Sequence, residues 1–498
     1  MSDRSPLVIV TLPGRSVTEL REGVAVARNA GADAAEVRLD RLGPDETDRL
    51  GELFPSPLPL IATLRSRAEG GEGPDDAPSR AERLERAWRL PFRWVDLEYD
   101  RDRGLFSRIS SRGGSIVSTH LSEGSDSADI ARRVRQSPPE GSIRKIVVAA
   151  SISALFSRVL PAIPPPGELP LAVATTGASA PLLRAWSRRI GSPIVFAAPP
   201  QAPPGASGPP PVEPGQIPVD RLRWFLDAEG DAPLFGIAGH PVGHSASPYL
   251  HARWMRAERR RGLYVPLDFS SDEEFVDALK SLADRGFRGL NVTHPFKATA
   301  FAAASRVGRA AEACGVANCL TFRGGEVEAE NTDLAAILGR LEELREAGTW
   351  NGRTLTVLGA GGAARATLAA GRTLGAETHL VARRAESQRA LAEAFGAADG
   401  PPDRPGSRDL VVHATDVGRE GAEPLELPLR PLLGPSAHVV DWVYRPDDPV
   451  IGATARAAGS TYEDGWRLLV YQAAASFALW WDAAPSDDEV AAAIREAA

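Results

Sequence analysis

Three lysines stand among 54 arginines in this chain of 498 residues: Lys145, Lys280 and Lys297. Arginine serves wherever a fixed positive charge is needed. It cannot serve where an amine must lose a proton, because its pKa stays above about 12. Each surviving lysine is therefore a candidate for amine chemistry. Lys280 lies in D-E-E-F-V-D-A-L-K-S-L, which reads as an amphipathic helix with an exposed charge. The other two lie in apolar or Gly/Pro-marked segments, Lys145 in I-R-K-I-V-V-A and Lys297 in N-V-T-H-P-F-K.

The elements that must position these residues follow from the apolar pattern. Eight short β-rich runs are predicted at Leu7–Leu12, Ala35–Arg38, Leu60–Leu64, Trp94–Glu98, Ser115–Thr119, Ile143–Ala149, Leu171–Thr175 and Ile194–Ala197. The gaps hold helices, with the amphipathic pattern clearest at Ala81–Leu90 and Ala128–Arg135. Eight β-α units over residues 1–228 predict a (β/α)8 barrel, whose active sites lie at the C-terminal strand ends. Glu36, Arg38, Arg65, Glu98, His120 and Lys145 fall at those ends, and Glu69 follows in the loop after the third. Cations, a histidine and a scarce lysine on one mouth suit a carboxylate substrate and amine catalysis.

Residues 227–233 read as a linker. The Pro-rich stretch 198–211 reads as a surface loop inside the barrel, because P-V-D-R-L-R-W-F-L after it is expected to be the closing helix. A second α/β block opens with strands Leu234–Ala238, Tyr264–Leu267 and Gly289–Val292 and a hairpin around Gly324-Gly325. From about residue 350 the pattern becomes a nucleotide-binding unit: strand Thr354–Leu358, glycine turn G-A-G-G-A-A-R, helix Ala364–Leu374 and strand His379–Ala382. Strands at Asp409–His413, His438–Trp442 and Thr461–Tyr462 complete it. The domains expected are 1–228, 233–345 completed by a helix at 466–498, and a Rossmann-type unit at 350–465.

Composition narrows the function classes. Hydrophobic residues at 43% and charged residues at 24% are ordinary globular values. A net charge of −8 argues against nucleic-acid binding. Two cysteines, Cys314 and Cys319, cannot form a disulfide framework. No run reaches the ~18 apolar residues of a membrane span, and M-S-D-R-S-P leads straight into a strand without a targeting segment. A soluble cytoplasmic protein is expected. His240, His244, His294 and His413 lack metal-ligand spacing, so no metal is expected.

The first half resembles type I 3-dehydroquinate dehydratase through E-V-R-L-D (36–40), R-S-R-A-E-G-G (65–71), D-L-E (96–98), S-T-H (118–120), R-K-I (144–146), Arg184 and P-G-Q (214–216). The resemblance implies that Lys145 forms a Schiff base, an electron sink for dehydrating a β-hydroxyketone. Arg38 and Arg65 would keep a fraction of it neutral. His120 would move the α-proton and protonate the leaving hydroxyl, with Glu69 orienting it. Arg184 would clamp the substrate carboxylate; Glu36, Arg38, Arg65 and Gln216 would complete the substrate site. Val212 replaces the Ser or Thr usual two positions before P-G-Q, and the Pro-rich insertion falls in the family's substrate-covering segment.

The second half is similar to shikimate dehydrogenase through G-H-P-V-G-H-S-A-S-P (239–248), N-V-T-H-P-F-K (291–297), A-N-C (317–319), E-N-T-D (330–333), the glycine turn, D-W-V-Y (441–444) and D-G-W-R-L-L-V-Y-Q (464–472). Lys297 and Asp333 are then expected to form the proton-donating pair. Ser245, Ser247, Thr293, Asn318, Tyr444 and Gln472 would hold a polyhydroxylated ring. Gly359, Ala360, Gly361, Gly362, Ala363, Thr415 and Gly465 would bind the cofactor. Arg383 and Arg384 stand where an acidic residue would bind a ribose hydroxyl, so the cofactor expected is NADP(H). Cys319, Ala382, His413 and Arg467 depart from the family pattern. The reading is a bifunctional enzyme, with dehydration of 3-dehydroquinate feeding NADPH-dependent reduction of 3-dehydroshikimate. Its alternatives are a degenerate, ligand-binding barrel beside an active reductase, and a reductase that uses quinate.

Overall fold

The structure is a computed structural model that describes residues 5–110, 114–136, 138–201, 212–228, 231–406, 408–417, 429–434, 436–444 and 450–496. Most of the Pro-rich stretch, 202–211, and part of the expected linker, 229–230, lie outside the described residues. The chain divides into two compact units. One comprises Met1–Leu234, Pro241–Gly243 and Arg261–Ser281; the other comprises Phe235–His240, His244–Arg260 and Leu282–Ala498.

Runs rich in Val, Ile and Leu that are buried on both faces favour parallel strands covered by helices. In the first unit these are β1 (Leu7–Thr11), β2 (Ala34–Arg38), β3 (Leu60–Thr63), β4 (Trp94–Glu98), β5 (Gly114–Leu121), β6 (Ile143–Ala149), β7 (Leu171–Thr176) and β8 (Ile194–Ala197). Their bounds agree with the expected runs within a residue or two. The sheet order is β7-β6-β5-β4-β3-β2-β1-β8, so the chain returns beside its start as a (β/α)8 barrel does. The ladder stays open between β7 and β8 among the described residues. Register sets the site: Glu98 pairs with Ser118, and Ser118 with Lys145. Side chains two apart share a face, so Asp96 and Glu98, Ser118 and His120, and Glu36 and Arg38 each point the same way.

The turn after β4 is pinned from behind. Arg80 of the helix Ala77–Trp88 is fully buried and donates from Nε and Nη2 to the two carboxylate oxygens of Asp102, each at 2.8 Å. Asp102 accepts in turn from the backbone N–H of Glu98 at 2.7 Å.

The second block holds β9 (Leu234–Gly239), β10 (Leu263–Asp268), β11 (Phe287–Val292), β12 (Arg306–Val307), β13 (Cys319–Arg323) and β14 (Glu326–Glu330), ordered β10-β9-β11-β13-β14-β12. The β13–β14 hairpin turns at Gly324 and Gly325, both at positive φ. The nucleotide-binding unit is a parallel sheet of β15 (Thr354–Leu358), β16 (Glu377–Val381), β17 (Ala398–Asp399), β18 (Leu410–His413), β19 (His438–Asp441) and β20 (Thr461–Glu463), ordered β17-β16-β15-β18-β19-β20. Its order reverses beside β15, where such sheets bind ligands. The helix Trp466–Trp481 folds back as expected: Trp480 Nε1 donates to the Leu320 carbonyl at 3.1 Å, and Ser476 Oγ accepts from Asn291 Nδ2 at 2.7 Å. No helix among the described residues is long and apolar enough to cross a membrane.

Removing one partner of a buried ion pair strands the other charge and costs about 3–5 kcal/mol. Arg80→Leu is therefore expected to lower the unfolding free energy of the first unit by about that much, read from urea unfolding. Arg86→Ala breaks only a surface pair with Asp48 and should cost less than about 1 kcal/mol. Equal small losses would contradict the pinning role of Arg80.

Candidate functional site

The barrel mouth is built around a carboxylate missing from the expected site set. Asp96, 1% exposed, accepts from Lys145 Nζ at 3.0 Å, from Ser118 Oγ at 2.5 Å and from Arg65 Nη2 at 3.2 Å. The nearest charge to Lys145 is thus an anion, which it shares with Arg65, one of the two cations expected beside it. The cause is burial: a desolvated ammonium needs a counterion. Burial alone would raise the Asp96 pKa, but Lys145 and Arg65 more than offset it and hold the group well below the usual carboxylate range. The Phe196 ring covers the amine, with Nζ 4.1 Å from its centroid.

Arg65 organises the rest. Its Nη1 lies 2.8 Å from Glu69 Oε2, 3.3 Å from Glu98 Oε1 and 3.0 Å from Ser118 Oγ. Burial works against its charge, and Asp96, Glu69 and Glu98 more than compensate. His120 Nδ1 is 2.6 Å from Glu69 Oε2. Burial, then Arg65 and Lys145, push the imidazole pKa well below its ordinary value, while burial raises that of Glu69. A neutral ring that donates from Nδ1 to Glu69 keeps the Nε2 lone pair free as a base. The His120 side chain is still 21% exposed, so a ligand in the mouth can reach it.

Glu36 accepts from Thr11 Oγ1 and Thr63 Oγ1, both at 2.7 Å. Gln216 Nε2 donates to Thr11 Oγ1 at 3.0 Å, and its buried Oε1 has no partner among the described residues, which leaves an acceptor for a ligand. Arg38 holds Asp40 through two parallel hydrogen bonds at 2.9 and 2.8 Å. Arg184 departs from its expected role as an open carboxylate clamp. Its Nε and Nη1 donate to the backbone carbonyls of Phe196, Thr175 and Ala180, leaving at most Nη2 for substrate. Burial pushes it down to about 10 despite Glu213.

In the second unit, Lys297 Nζ donates to Asp333 Oδ2 at 2.5 Å. Asn318 donates to Asp333 Oδ1 at 2.8 Å and to Thr332 Oγ1 at 3.0 Å, while its Oδ1 accepts from the Thr332 N–H. With its amide so committed, Asn318 orients Asp333 rather than meeting a ring hydroxyl, which corrects its expected place. Ser247 is 1% exposed and its Oγ has no partner among the described residues; its N–H donates to Ser245 Oγ at 3.2 Å. Tyr444 Oη accepts from the Ala246 N–H at 3.3 Å, so the serine segment and the D-W-V-Y segment meet. Thr293 is half-buried just after β11. Gln472 Nε2 donates to the Leu469 carbonyl of its own helix at 3.0 Å.

The glycine turn fits a dinucleotide. Gly359 has φ +118, and a Cβ there would lie 2.4 Å from the Ala414 carbonyl oxygen. Ala360 follows, Gly361 caps the helix Gly362–Thr373, and Ala363 lies in its first turn. A Cβ on Gly362 would lie 2.7 Å from Lys297 Cδ, so the turn lies directly against the lysine stem, which a side chain there would have to displace. Arg383 and Arg384 are exposed just beyond β16, whose Val381 carbonyl accepts from the Gly359 N–H at 2.9 Å. Thr415 Oγ1 is held by His413 Nε2 at 2.5 Å, and His413 Nδ1 lies 2.7 Å from Asp441 Oδ1. Gly465 N donates to the Val443 carbonyl at 3.0 Å. Both cysteines are buried, which pushes their thiols up to about 12.

The comparisons agree with this division. The family model for type I 3-dehydroquinase matches residues 8–233, and that for the shikimate dehydrogenase substrate binding domain matches residues 237–320. The NADP(+) shikimate dehydrogenase of Acidiphilium cryptum (strain JF-5) is 38% identical over 264 residues, covering 52% of this chain and 94% of its own. That of Dinoroseobacter shibae is 37% identical over 277 residues, covering 53% and 97%. Among solved structures, shikimate 5-dehydrogenase from Thermus thermophilus in complex with NADP(H) and shikimate is 33% identical, covering 53% of this chain and 100% of that one with a TM-score of 0.47. The dehydroquinate dehydratase and shikimate dehydrogenase of S. pombe AroM is 22% identical, covers 99% of both chains and has a TM-score of 0.43.

A lysine-centred barrel and a lysine-aspartate site beside a glycine turn define two enzyme-type modules in one chain. The chain belongs to the shikimate dehydrogenase family, and its first half carries a type I 3-dehydroquinase domain.

The His120 environment has a direct readout. Burial and the two cations oppose protonation, so the ring stays neutral through and below pH 6.5, its ordinary pKa. An NMR titration, with the resonance assigned through His120→Asn, is expected to show no charging until well below that pH. A midpoint at or above 6.5 would contradict the geometry.

Proposed function

We propose that the chain dehydrates 3-dehydroquinate to 3-dehydroshikimate in its barrel and reduces that product to shikimate with NADPH in its second half. The proposed domains are 1–228 for the dehydratase, 233–345 with residues 466–498 for the shikimate-binding part, and 350–465 for the cofactor; the single helix expected at 466–498 is two, Trp466–Trp481 and Asp487–Arg495. The observation that carries the proposal is the placement of the two non-surface lysines, each paired with a buried aspartate at 3.0 Å and 2.5 Å. Lys280, by contrast, is exposed on the helix Asp272–Asp284.

In the barrel, the Lys145 amine adds to the substrate ketone and water leaves, giving a protonated imine that draws electrons from the adjacent carbon. His120 Nε2 takes the α-proton there, and the same proton goes to the departing hydroxyl as the ring double bond forms. Glu69 holds the ring for both transfers. Water then hydrolyses the imine and frees Lys145. Arg38 and the remaining donor of Arg184 are proposed to meet the substrate carboxylate. The assembled Lys145, His120 and Glu69 favour a working dehydratase over a degenerate ligand-binding barrel.

In the second half, the glycine turn at Gly359, Gly361 and Gly362 would hold a nicotinamide dinucleotide, which when bound would supply the hydride. Lys297 donates the proton that completes the alcohol, with Asp333 holding its amine and Asn318 holding Asp333. Ser247, with its unpartnered Oγ, and Ser245 are proposed to bind ring hydroxyl or carboxylate oxygens. Arg383 and Arg384 supply the positive charge for a 2′-phosphate, which favours NADP(H). The same serine pair supports shikimate over quinate. We propose a cytoplasmic location and small-molecule substrates in place of nucleic-acid or membrane partners.

A coupled assay tests the whole proposal: 3-dehydroquinate and NADPH with the intact chain should yield shikimate with loss of NADPH absorbance. Lys297→Arg keeps the charge but holds its proton too tightly. It is expected to cut reductase turnover by at least about 100-fold, within the usual range for general acid–base groups, while 3-dehydroshikimate still forms at the wild-type rate. Near-normal reduction by this variant would limit Lys297 to positioning substrate, and no 3-dehydroshikimate from the wild type would refute the barrel's role.

A further inference from the structure

Arg38 is proposed above to meet the substrate carboxylate, and the structure shows carboxylates of the chain itself on the same guanidinium. Asp40, fully buried, takes Nε and Nη2 of the guanidinium. A terminal nitrogen that Asp40 does not hold, Nη1, donates to Glu213 Oε1 at 3.0 Å. Glu213 is 38% exposed, against 7% for Arg38, so it closes the guanidinium from the solvent side. Its charge also reaches Arg184, the other cation proposed to meet the substrate carboxylate.

The backbone around Glu213 is anchored so that this carboxylate is delivered repeatedly to one place. Gly215 has φ +77, and a Cβ there would lie 2.5 Å from Ala180 Cβ, at the start of the helix that carries Arg184. The Gln216 N–H donates to the Glu213 carbonyl at 3.3 Å, and the Gln216 side chain is tied to Thr11. A carboxylate held at a guanidinium that should receive a carboxylate is a competitor built into the chain.

We propose that Glu213 is an internal stand-in for the substrate carboxylate, competing with it for Arg38 Nη1, and that it thereby lowers the affinity of the barrel for anionic substrate. The inference rests on the dehydratase reading above. Glu213 takes no part in the proposed steps at Lys145 and His120, so exchanging it acts on binding and leaves the chemical steps alone. A partly exposed, charge-assisted hydrogen bond contributes about 0.5–1.5 kcal/mol net, which corresponds to roughly a three- to tenfold change in affinity.

The test uses the full chain and the variants Glu213→Ala and Glu213→Gln, the second keeping the size of the side chain, with folding of each checked by circular dichroism. Quinate, which carries a ring carboxylate but no ketone, is titrated by calorimetry, and dehydration of 3-dehydroquinate is followed in parallel. Glu213→Ala is expected to bind quinate about three- to tenfold more tightly and to lower KM by a similar factor with kcat unchanged. Glu213→Gln should fall between it and the wild type. Unchanged or weaker quinate binding in Glu213→Ala would overturn the proposal. Tighter quinate binding in an enzyme that never dehydrates 3-dehydroquinate would instead uphold the exchange at Arg38 and overturn the dehydratase reading.

Discussion

One ionised carboxylate, that of Asp96, has been taken out of water at the centre of the barrel mouth, and most of the first site exists to satisfy it. A buried charge is tolerated only when it is paired and its remaining hydrogen-bonding capacity is filled. Lys145, Arg65 and Ser118 do that for Asp96. Arg65 is then itself a buried cation with donors to spare, and it draws in Glu69 and Glu98. Glu69 in turn fixes His120. The chain of obligations runs outward from one aspartate to the base at the edge of solvent, and each link is needed because the previous one is desolvated. Behind it, Arg80 and Asp102 hold the end of β4 so that Asp96 and Glu98 stay in place.

The second unit solves a similar problem with fewer charges. Lys297 is half-buried and meets one carboxylate oxygen of Asp333, while the other oxygen is held by the neutral amide of Asn318. A neutral support leaves the pair's charge balanced without a further ion. The glycine at position 362 then brings the cofactor turn against the lysine stem. A side chain at 362 would have to displace that stem.

Much of this is legible in the sequence. The scarcity of lysine singles out Lys145 and Lys297, and the alternation of apolar runs places strands within a residue or two of β1–β8. Residues at the ends of those strands are therefore found, including Glu36, Arg65 and His120. Asp96 escapes because it lies two residues deeper on β4 than Glu98, where a search of strand ends does not reach. Its sequence signal is the same alternation: an acidic residue at an inward position among apolar neighbours must have a buried partner. Asn318 and Arg184 are recognisable as positions, but their partners are not. Their hydrogen bonds go to Asp333 and to backbone carbonyls that only the fold brings near. The pairing of Arg38 with Glu213 joins residues 175 positions apart and leaves no local trace at all.

The account stands or falls on Lys145 acting as an amine nucleophile while paired with Asp96, rather than as a fixed charge. Borohydride added during turnover of 3-dehydroquinate delivers hydride to an imine and converts it to a stable secondary amine. Mass spectrometry of the digested protein is predicted to show a single substrate-derived adduct, on the peptide that contains Lys145, and none when substrate is omitted. An enzyme that dehydrates normally and yields no adduct at Lys145 would contradict the account.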